Sequence, residues 1–214
     1  MNGVIYWKQD VLQYLLRSPD DRCVTVVSKR TAVTYRHREH LTLKVGDAFV
    51  VSPHLDSPYC FPDKQSSIEM KVVGIDEHLD SVLLQSEVDL CNGKPYIRIS
   101  QCGETYVQLG LSVTDRQSSL AITHGVITSA IEDDNFRIMA SGGMRAGDSG
   151  GGIYSVNGSF LGMAVECDAE THDLSDTLKE TLDKMDNRWT SRCHFIPSGY
   201  IRKAFRDIGI NVID

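Results

Sequence analysis

The sequence of 214 residues lacks several features that would place it in a large class of proteins. It has no run of about 18 apolar residues, so we expect no membrane-spanning helix. No basic segment followed by an apolar stretch occurs near Met1, so we expect no secretory signal. Positive charge is also in deficit: 22 basic against 29 acidic residues give a net charge of −7. Such an acidic chain is a poor general ligand for nucleic acid or for an anionic membrane.

The six cysteines include no C-x-x-C pair, the pattern typical of a zinc site or a dithiol redox site. An even number of cysteines would suit a disulfide framework in a secreted protein. The chain is long enough, however, to build a core without covalent cross-links, and 41% of its residues are hydrophobic. We therefore prefer free thiols in a reducing, intracellular compartment, which predicts a cytoplasmic protein.

Short β-branched segments separated by polar turns dominate the chain between Cys23 and Phe160. Their close spacing predicts an all-β sandwich or barrel. Apolar residues recur at helical spacing in Val4–Leu16 and predict a short helix there, and a second helix-like segment begins at Ser198. Leucines at similar spacing within 168–190 predict an acidic amphipathic helix inserted late in the chain. The predicted strands are CVTVVS, TAVTY, LTLKV, AFVVS, EMKVVGI, SVLLQ, YIRIS, TYVQLGL, LAITHGVITSAI, FRIMAS, GIYSV and FLGMAV, followed by CHFIP.

The strongest local signal for chemistry is the sequence GDSGGG at Gly147–Gly152. A serine hydroxyl becomes a good nucleophile only when a base takes its proton, and backbone amides must face the carbonyl oxygen under attack. Glycines on both sides of Ser149 allow the sharp turn that collects such amides. The motif alone could be a glycine-rich turn, but two apolar strands follow it at once. The sequence therefore indicates a nucleophilic Ser149, with the amides of Gly147 and Ser149 as its oxyanion hole.

GDSGG resembles the nucleophile motif of trypsin-like serine peptidases, which have the chymotrypsin fold. Their order is His, Asp, Ser, and two upstream segments are similar to the family's other triad segments. VTYRH ends a hairpin-like pair at His37, and KVVGIDEHLDSVLL resembles a segment of HtrA/Deg-type members, with Asp80 at the triad position. The resemblance implies that His37 is the general base, that Asp80 orients it and that Ser149 attacks a peptide carbonyl. It implies neither a metal nor an organic cofactor.

The resemblance covers about residues 21–208 and implies a single trypsin-like protease domain over 1–214. The implied fold is two six-stranded antiparallel β-barrels, about 21–100 and about 103–208, with the active site in the cleft between them. Short helices at both ends and the 168–190 insert would complete this all-β architecture.

Two other histidines compete with His37 for the role of base. His54 also ends an apolar strand, and His40 is a weaker third candidate. Tyr35 and Arg36 are bulkier than the small residues that the family has before its histidine. At these two positions the sequence departs from the family, and we expect larger side chains beside the base than the family has there.

The resemblance implies that four further residues line the pocket that binds the substrate side chain. The family places the residue six before the serine at the base of the specificity pocket, and here that residue is Gly143, so no charge selects Lys or Arg. Val165, Glu166 and Cys167 are expected along the opposite wall. Glu166 could face the cleft and favour a basic side chain, or it could face solvent. The uncharged floor favours small or apolar side chains.

Several classes of function remain open at this point. The leading interpretation is a serine endopeptidase acting on protein or peptide substrates. A viral polyprotein-processing protease is a variant, because Arg38 and Arg145 stand where secreted digestive members have cysteines. A protease fold that binds without turnover is a second class. An α/β-hydrolase esterase would need the order Ser, Asp, His and alternating helices, which the sequence lacks.

Overall fold

The computed structural model describes residues 11–54, 67–114, 117–129, 131–168 and 192–212. No helix in these ranges is both long and apolar enough to cross a bilayer. The described elements are β1 (Leu15–Arg17), β2 (Cys23–Ser28), β3 (Thr31–Tyr35), a short 3-10 helix (Arg38–His40), β4 (Ala48–Pro53), β5 (Ile68–Asp76), β6 (Ser81–Gln85), β7 (Thr105–Thr114), β8 (Gln117–Val126), β9 (Ile138–Ala140), β10 (Gly152–Ser155), β11 (Phe160–Asp168), β12 (Arg192–Pro197) and α1 (Ser198–Asp207).

The first six strands close into an antiparallel barrel in the order β1-β2-β3-β6-β5-β4. Strand β5 alternates buried and exposed residues along most of its length, as expected for a strand with one face on a core and one in solvent. Strands β2 and β3 are buried throughout. Their second face is covered by the other lobe, because the Thr25 hydroxyl donates a 2.7 Å hydrogen bond to the carbonyl of Gly150.

The other six strands form one antiparallel sheet in the order β8-β7-β10-β11-β12-β9. Its two edge strands meet where an isolated bridge pairs Ile127 with Ala140. Hydrogen bonds from the amide of Thr128 to Met139 and from the amide of Ser141 to Val126 reinforce this meeting. The sheet therefore curls into a second, less regular barrel. Helix α1 buries Ile201 and Phe205 against the core that both lobes share.

The two-barrel fold predicted from the sequence is confirmed, and so is a helix beginning at Ser198. The predicted helix over Val4–Leu16 is wrong at its end, because Leu15 and Leu16 lie in strand β1. Both side chains are buried, and pairing with β2 and β4 outweighs the helical spacing of the apolar residues. Residues 4–10 and most of the 168–190 insert lie outside the described residues; Asp168 ends β11.

Two short predicted strands are also wrong. LTLKV, residues 41–45, forms turns after the 3-10 helix, and its Leu41 and Val45 are exposed. YIRIS, residues 96–100, contributes a single bridge between Ile97 and Phe160. In both segments the apolar residues find no neighbouring strand along their length, and pairing rather than composition makes a strand.

Among the cysteines whose side chains are described, Cys23, Cys91 and Cys193 are buried and Cys102 is exposed. Cys23 and Cys102 carry free thiols, as expected from the sequence.

Candidate active site

The register of two paired strands brings His37 and Asp80 together. Tyr35, the last residue of β3, lies opposite Ser81, the first residue of β6, so the residues just beyond this pair meet at one end of the barrel. The His37 Nδ1 atom lies 2.6 Å from Asp80 Oδ2. The amide of Arg36 donates to both the carbonyl and the Oδ1 atom of Asp80, at 3.1 Å each. Asp80 has φ +53, a left-handed conformation that aspartate tolerates.

This hydrogen bond fixes which nitrogen of His37 is free. A carboxylate accepts the Nδ1–H, so a neutral imidazole keeps an unprotonated Nε2 that can take a proton. The His37 side chain is 33% exposed and the Asp80 side chain 17%, so Asp80 lies behind His37 and away from solvent. The pair therefore has the geometry of a base and the group that orients it.

The turn between β9 and β10 contains Ser149, and two backbone amides of this turn, those of Gly147 and Ser149, donate to no acceptor among the described residues. Within the described ranges, neither Gly147 nor Ser149 donates a backbone hydrogen bond, whereas the amides of the other three residues from 148 to 151 all do. The carbonyl of Ala146 accepts from the amide of Val113 at 2.8 Å, and because a trans peptide is planar, the Gly147 N–H points the other way.

The second amide is fixed in the same manner. The carbonyl of Asp148 accepts from the amide of Gly151 at 3.0 Å, which turns the Ser149 N–H away from Gly151. Gly147 and Gly150 have φ +97 and +85, values that a residue with a side chain rarely adopts. The glycines of GDSGGG thus allow the backbone that leaves two amides free beside the hydroxyl.

The Ser149 hydroxyl lies in a resting position. It donates a 2.8 Å hydrogen bond to the carbonyl of Val165 in β11, and among the described residues it makes none to His37. The loop nevertheless meets the His37 region, because Gly150 packs against the ring of Tyr35: an added Cβ would lie 3.1 Å from Tyr35 Cδ1. The ring of Tyr35 in turn packs against the ring of His37, with ring centroids 4.4 Å apart and planes tilted by 34°.

Asp148 holds the loop from beneath. Its side chain is almost fully buried; Oδ1 accepts from the Ser112 hydroxyl at 2.8 Å and Oδ2 from the amide of Arg145 at 2.9 Å. Burial raises the pKa of the Asp148 carboxyl, since these hydrogen bonds and the Arg145 charge only partly offset the loss of hydration. Two neutral donors thus hold the carboxyl group in place.

A pH dependence of stability follows from this raised pKa. The ordinary pKa is 3.8, and the stabilisation tied to a raised pKa is fully present below that value and is lost as pH rises through the folded-state pKa. We expect the free energy of unfolding of the wild type, relative to Asp148→Asn, to fall as pH rises through this window. Urea denaturation of both proteins at several pH values measures the difference, in which other carboxyl groups cancel. A difference that stays constant or grows with pH would contradict the raised pKa.

The competing histidines occupy other environments. His40 is buried, and its Nδ1 lies 3.0 Å from the carbonyl of Tyr35. His54 is buried directly after the end of β4. The Oδ2 atom of Asp80 is taken by His37, and therefore His37 is the candidate base that the geometry favours.

The four residues expected at the specificity pocket have different surroundings. Gly143 is half-buried beside Gly142, whose amide donates to the Tyr106 hydroxyl at 3.0 Å. The Val165 side chain lies in the core, and only its carbonyl faces Ser149. Cys167 lies in β11 opposite Cys193.

Glu166 is half-exposed, and its Oε1 lies 2.5 Å from an Nη atom of Arg137. Arg137 is buried, so its guanidinium charge lies against this carboxylate rather than in water. The negative charge of Glu166 is thus largely neutralised, which weighs against selection of a basic side chain by Glu166.

Two contacts across the lobes were not foreseen from the sequence. The Cys23 thiol donates to the carbonyl of Gly147 at 3.1 Å and accepts from the amide of Leu111 at the same distance. Burial raises the pKa of this thiol, which keeps it a protonated donor. Thr25 holds Gly150 in the same way. The only signal in the sequence was a polar residue, Thr25, among the apolar residues of β2.

Known structures of serine proteases share this arrangement of barrels. The Rv3671c protease of M. tuberculosis H37Rv, in an inactive form, gives a TM-score of 0.63 at 17% identity, over 97% of this chain and 93% of that one. The HtrA-type protease AlgW with a decapeptide gives 0.62 at 15% identity, over 87% of this chain and 51% of AlgW. A serine endoprotease from Yersinia pestis gives 0.62 at 16%, over 94% and 66%.

These similarities establish the fold. The chain has the two-barrel fold of chymotrypsin-type serine proteases, the resemblance that GDSGG indicated, and it spans about half the length of AlgW. No protein-family model matches the chain, and the search of curated proteins found no sequence match.

Proposed function

We propose that this protein is a serine endopeptidase that hydrolyses peptide bonds of protein or peptide substrates through an acyl-enzyme. The observation that carries the proposal is the 2.6 Å contact between His37 Nδ1 and Asp80 Oδ2, which leaves Nε2 of His37 free to act as a base. The free amides of Gly147 and Ser149 support the same conclusion.

The reaction starts with a rotation of the Ser149 hydroxyl. The hydroxyl leaves the carbonyl of Val165 and donates to Nε2 of His37, which takes its proton as Oγ attacks the substrate carbonyl. The new oxyanion accepts hydrogen bonds from Gly147 and Ser149. His37 gives the proton to the leaving amine, and a water molecule then releases the acyl group by the same steps. Asp80 keeps the imidazole in one tautomer and stabilises its cation.

The proposed preference is for a small or apolar side chain before the cleaved bond. Gly143 contributes no charge to the floor of the proposed pocket, and the ion pair with Arg137 neutralises the carboxylate of Glu166. AlgW, a protease of the same fold, has been solved with a decapeptide, which supports a peptide as the ligand. A cytoplasmic location is part of the proposal, supported by the free thiols of Cys23 and Cys102.

The second candidate function is a protease fold that binds peptides without cleaving them. The hydrogen bond from Ser149 to Val165 favours it, because a hydroxyl held in this position is not activated. The two functions differ in whether the hydroxyl can rotate to His37. A reagent that reacts only with activated serines separates them.

The test is covalent labelling with a fluorophosphonate. We expect the folded wild type to gain one phosphonyl group, mapped by mass spectrometry to the peptide that contains Ser149, and Ser149→Ala to gain none. His37→Ala should lose labelling, whereas the matched variant His54→Ala should keep it. A folded wild type without labelling would support the binding function, and labelling that survives His37→Ala would refute His37 as the base. Circular dichroism of each variant confirms folding.

A further inference from the structure

We propose that Tyr35 is a positioning residue that sets the plane of the His37 imidazole and holds it against the loop of Ser149. The proposal deepens the proposed function and rests on it. Its starting point is a single side chain that borders the residue after the candidate nucleophile and also packs against the ring of the candidate base.

The first observation is a stack of rings. His37 lies on one side of Tyr35, with centroids 4.4 Å apart and planes 34° apart, and His40 stacks on Tyr35 with centroids 4.5 Å apart and planes 30° apart. Phe49 in β4 meets His40 edge-on at 5.3 Å. Burial lowers the pKa of His40, which favours a neutral ring against Tyr35. Tyr35 is therefore fixed from the barrel side, and His37 lies at the outer end of the stack.

The second observation is a clamp on the phenol. The Tyr35 hydroxyl donates to Glu39 Oε2 at 3.0 Å, and Glu39 Oε1 accepts from Arg22 Nε at 3.1 Å and from an Arg22 Nη at 2.6 Å. Although burial opposes it, hydrogen bonds to the carboxylate hold the pKa of Glu39 at about 2. Burial raises the pKa of Tyr35, so its hydroxyl stays a donor. The long axis of the ring therefore cannot swing away without breaking a charge-assisted hydrogen bond, while the neighbouring rings oppose rotation about that axis.

The third observation is the contact with the loop of the second lobe. A Cβ added at Gly150 would lie 3.1 Å from Tyr35 Cδ1 and 2.4 Å from the carbonyl of Cys23. The Tyr35 ring thus borders the residue that follows Ser149. One rigid side chain therefore sets the distance between His37 and the loop.

Asp80 alone does not fix the base. Its hydrogen bond anchors Nδ1 but leaves the imidazole free to rock about that contact, and Nε2 lies at the far side of the ring where the displacement is largest. The Tyr35 ring lies against the imidazole with its plane tilted by 34°, and this packing restrains the motion. Because a misplacement of about 1 Å can cost about 100-fold in rate, loss of the Tyr35 ring should lower kcat more than it alters KM.

The experiment compares three variants with the wild type. Tyr35→Leu removes the ring, Tyr35→Phe keeps the ring and loses the clamp, and Phe49→Leu removes a ring of the same stack that does not touch His37. The measurements are kcat and KM on a peptide substrate, the rate of fluorophosphonate labelling, and the low-field proton resonance of the hydrogen bond between His37 and Asp80. Thermal denaturation records the stability of each protein.

We expect Tyr35→Leu to lower kcat and the labelling rate about 10- to 100-fold, with KM within about threefold, and to broaden the low-field resonance. Tyr35→Phe should stay within about threefold of the wild type, because stacking is retained. Phe49→Leu should lose stability and keep its rate. If Tyr35→Leu is destabilised like Phe49→Leu but reacts at the wild-type rate, the residue is merely structural and the inference fails.

Two arms keep the result decisive. If Tyr35→Leu does not fold, Tyr35→Met fills more of the space without a planar ring, and an unchanged kcat and resonance in that variant would overturn the inference. If the wild type is not labelled at all, the proposed function fails. The low-field resonance then still tests positioning: its persistence in Tyr35→Leu refutes the role of Tyr35, and its loss supports it.

Discussion

Replacing Ser149 by alanine is expected to lower kcat for peptide hydrolysis by about a factor of 10⁶, and His37→Ala should cost about the same. The physical reason is that the two residues act as one unit: a hydroxyl without its base stays protonated, and a base without its hydroxyl has nothing to activate. The double variant should therefore be no slower than either single variant. Residual hydrolysis comes from the amides of Gly147 and Ser149, which both variants retain.

Asp80→Asn should cost less, about a factor of 10⁴, because an amide at this position favours the wrong tautomer of His37 but leaves the base in place. Steady-state kinetics on a fluorogenic peptide give kcat for the wild type and for these four variants. His54→Ala is the control, and its kcat is expected within a few-fold of the wild-type value. Losses that multiply in the double variant would mean that Ser149 and His37 do not belong to one catalytic unit. A loss in His54→Ala as large as in His37→Ala would move the base to His54.

Gly147→Ala is expected to impair the oxyanion hole and the fold together. Gly147 has φ +97, and an added Cβ would lie 2.2 Å from the carbonyl oxygen of Leu111, a backbone atom that cannot turn aside. The peptide of Gly147 must therefore shift, and loss of one oxyanion donor costs about 10²- to 10³-fold in kcat. Backbone strain adds about 1–3 kcal/mol of lost stability, and overpacking adds about 1–3 kcal/mol.

Gly46→Ala is the matched control for this variant. Gly46 has φ +101, but nothing lies within 4 Å of the Cβ that would be added. It should lose only the stability due to backbone strain and keep its kcat. Urea denaturation and kinetics of both variants distinguish the two effects. An equal loss of kcat in the two proteins would show that strain alone, rather than displacement of the Gly147 amide, slows the reaction.

Local patterns made much of the fold predictable. The β-branched segments between polar turns predicted the strands that pair fully, such as β2 and β3, because both faces of these strands are buried. The prediction failed where tertiary pairing decides. Leu15–Arg17 has helical spacing but is held by strands on both sides, and YIRIS has strand composition but meets Phe160 at one residue only.

The candidate site divides in the same way. Its backbone parts were predictable, because GDSGG demands left-handed glycines and because hairpin ends place His37 and Asp80 at strand termini. The side chains that contact these parts from distant positions in the sequence were not predictable. Ser112 and Cys23 reach the loop from other strands, and no local pattern reports a partner that is far away in sequence. The bulk of Tyr35 was visible as a departure from the family, but its contact with His37 depends on a ring orientation that only the structure gives.

The hydrogen bonds that hold the Ser149 loop to the opposite lobe determine when this loop becomes ordered during folding. Cys23 binds Gly147 and Thr25 binds Gly150 across separations of 124 and 125 residues. Contacts between such distant segments form late in folding, since the entropy of closing a long loop must be overcome first. A ribosome-bound chain that has not yet extended past Gly150 therefore lacks the contacts that hold the Ser149 loop. The proposed active site is complete only once both lobes have docked.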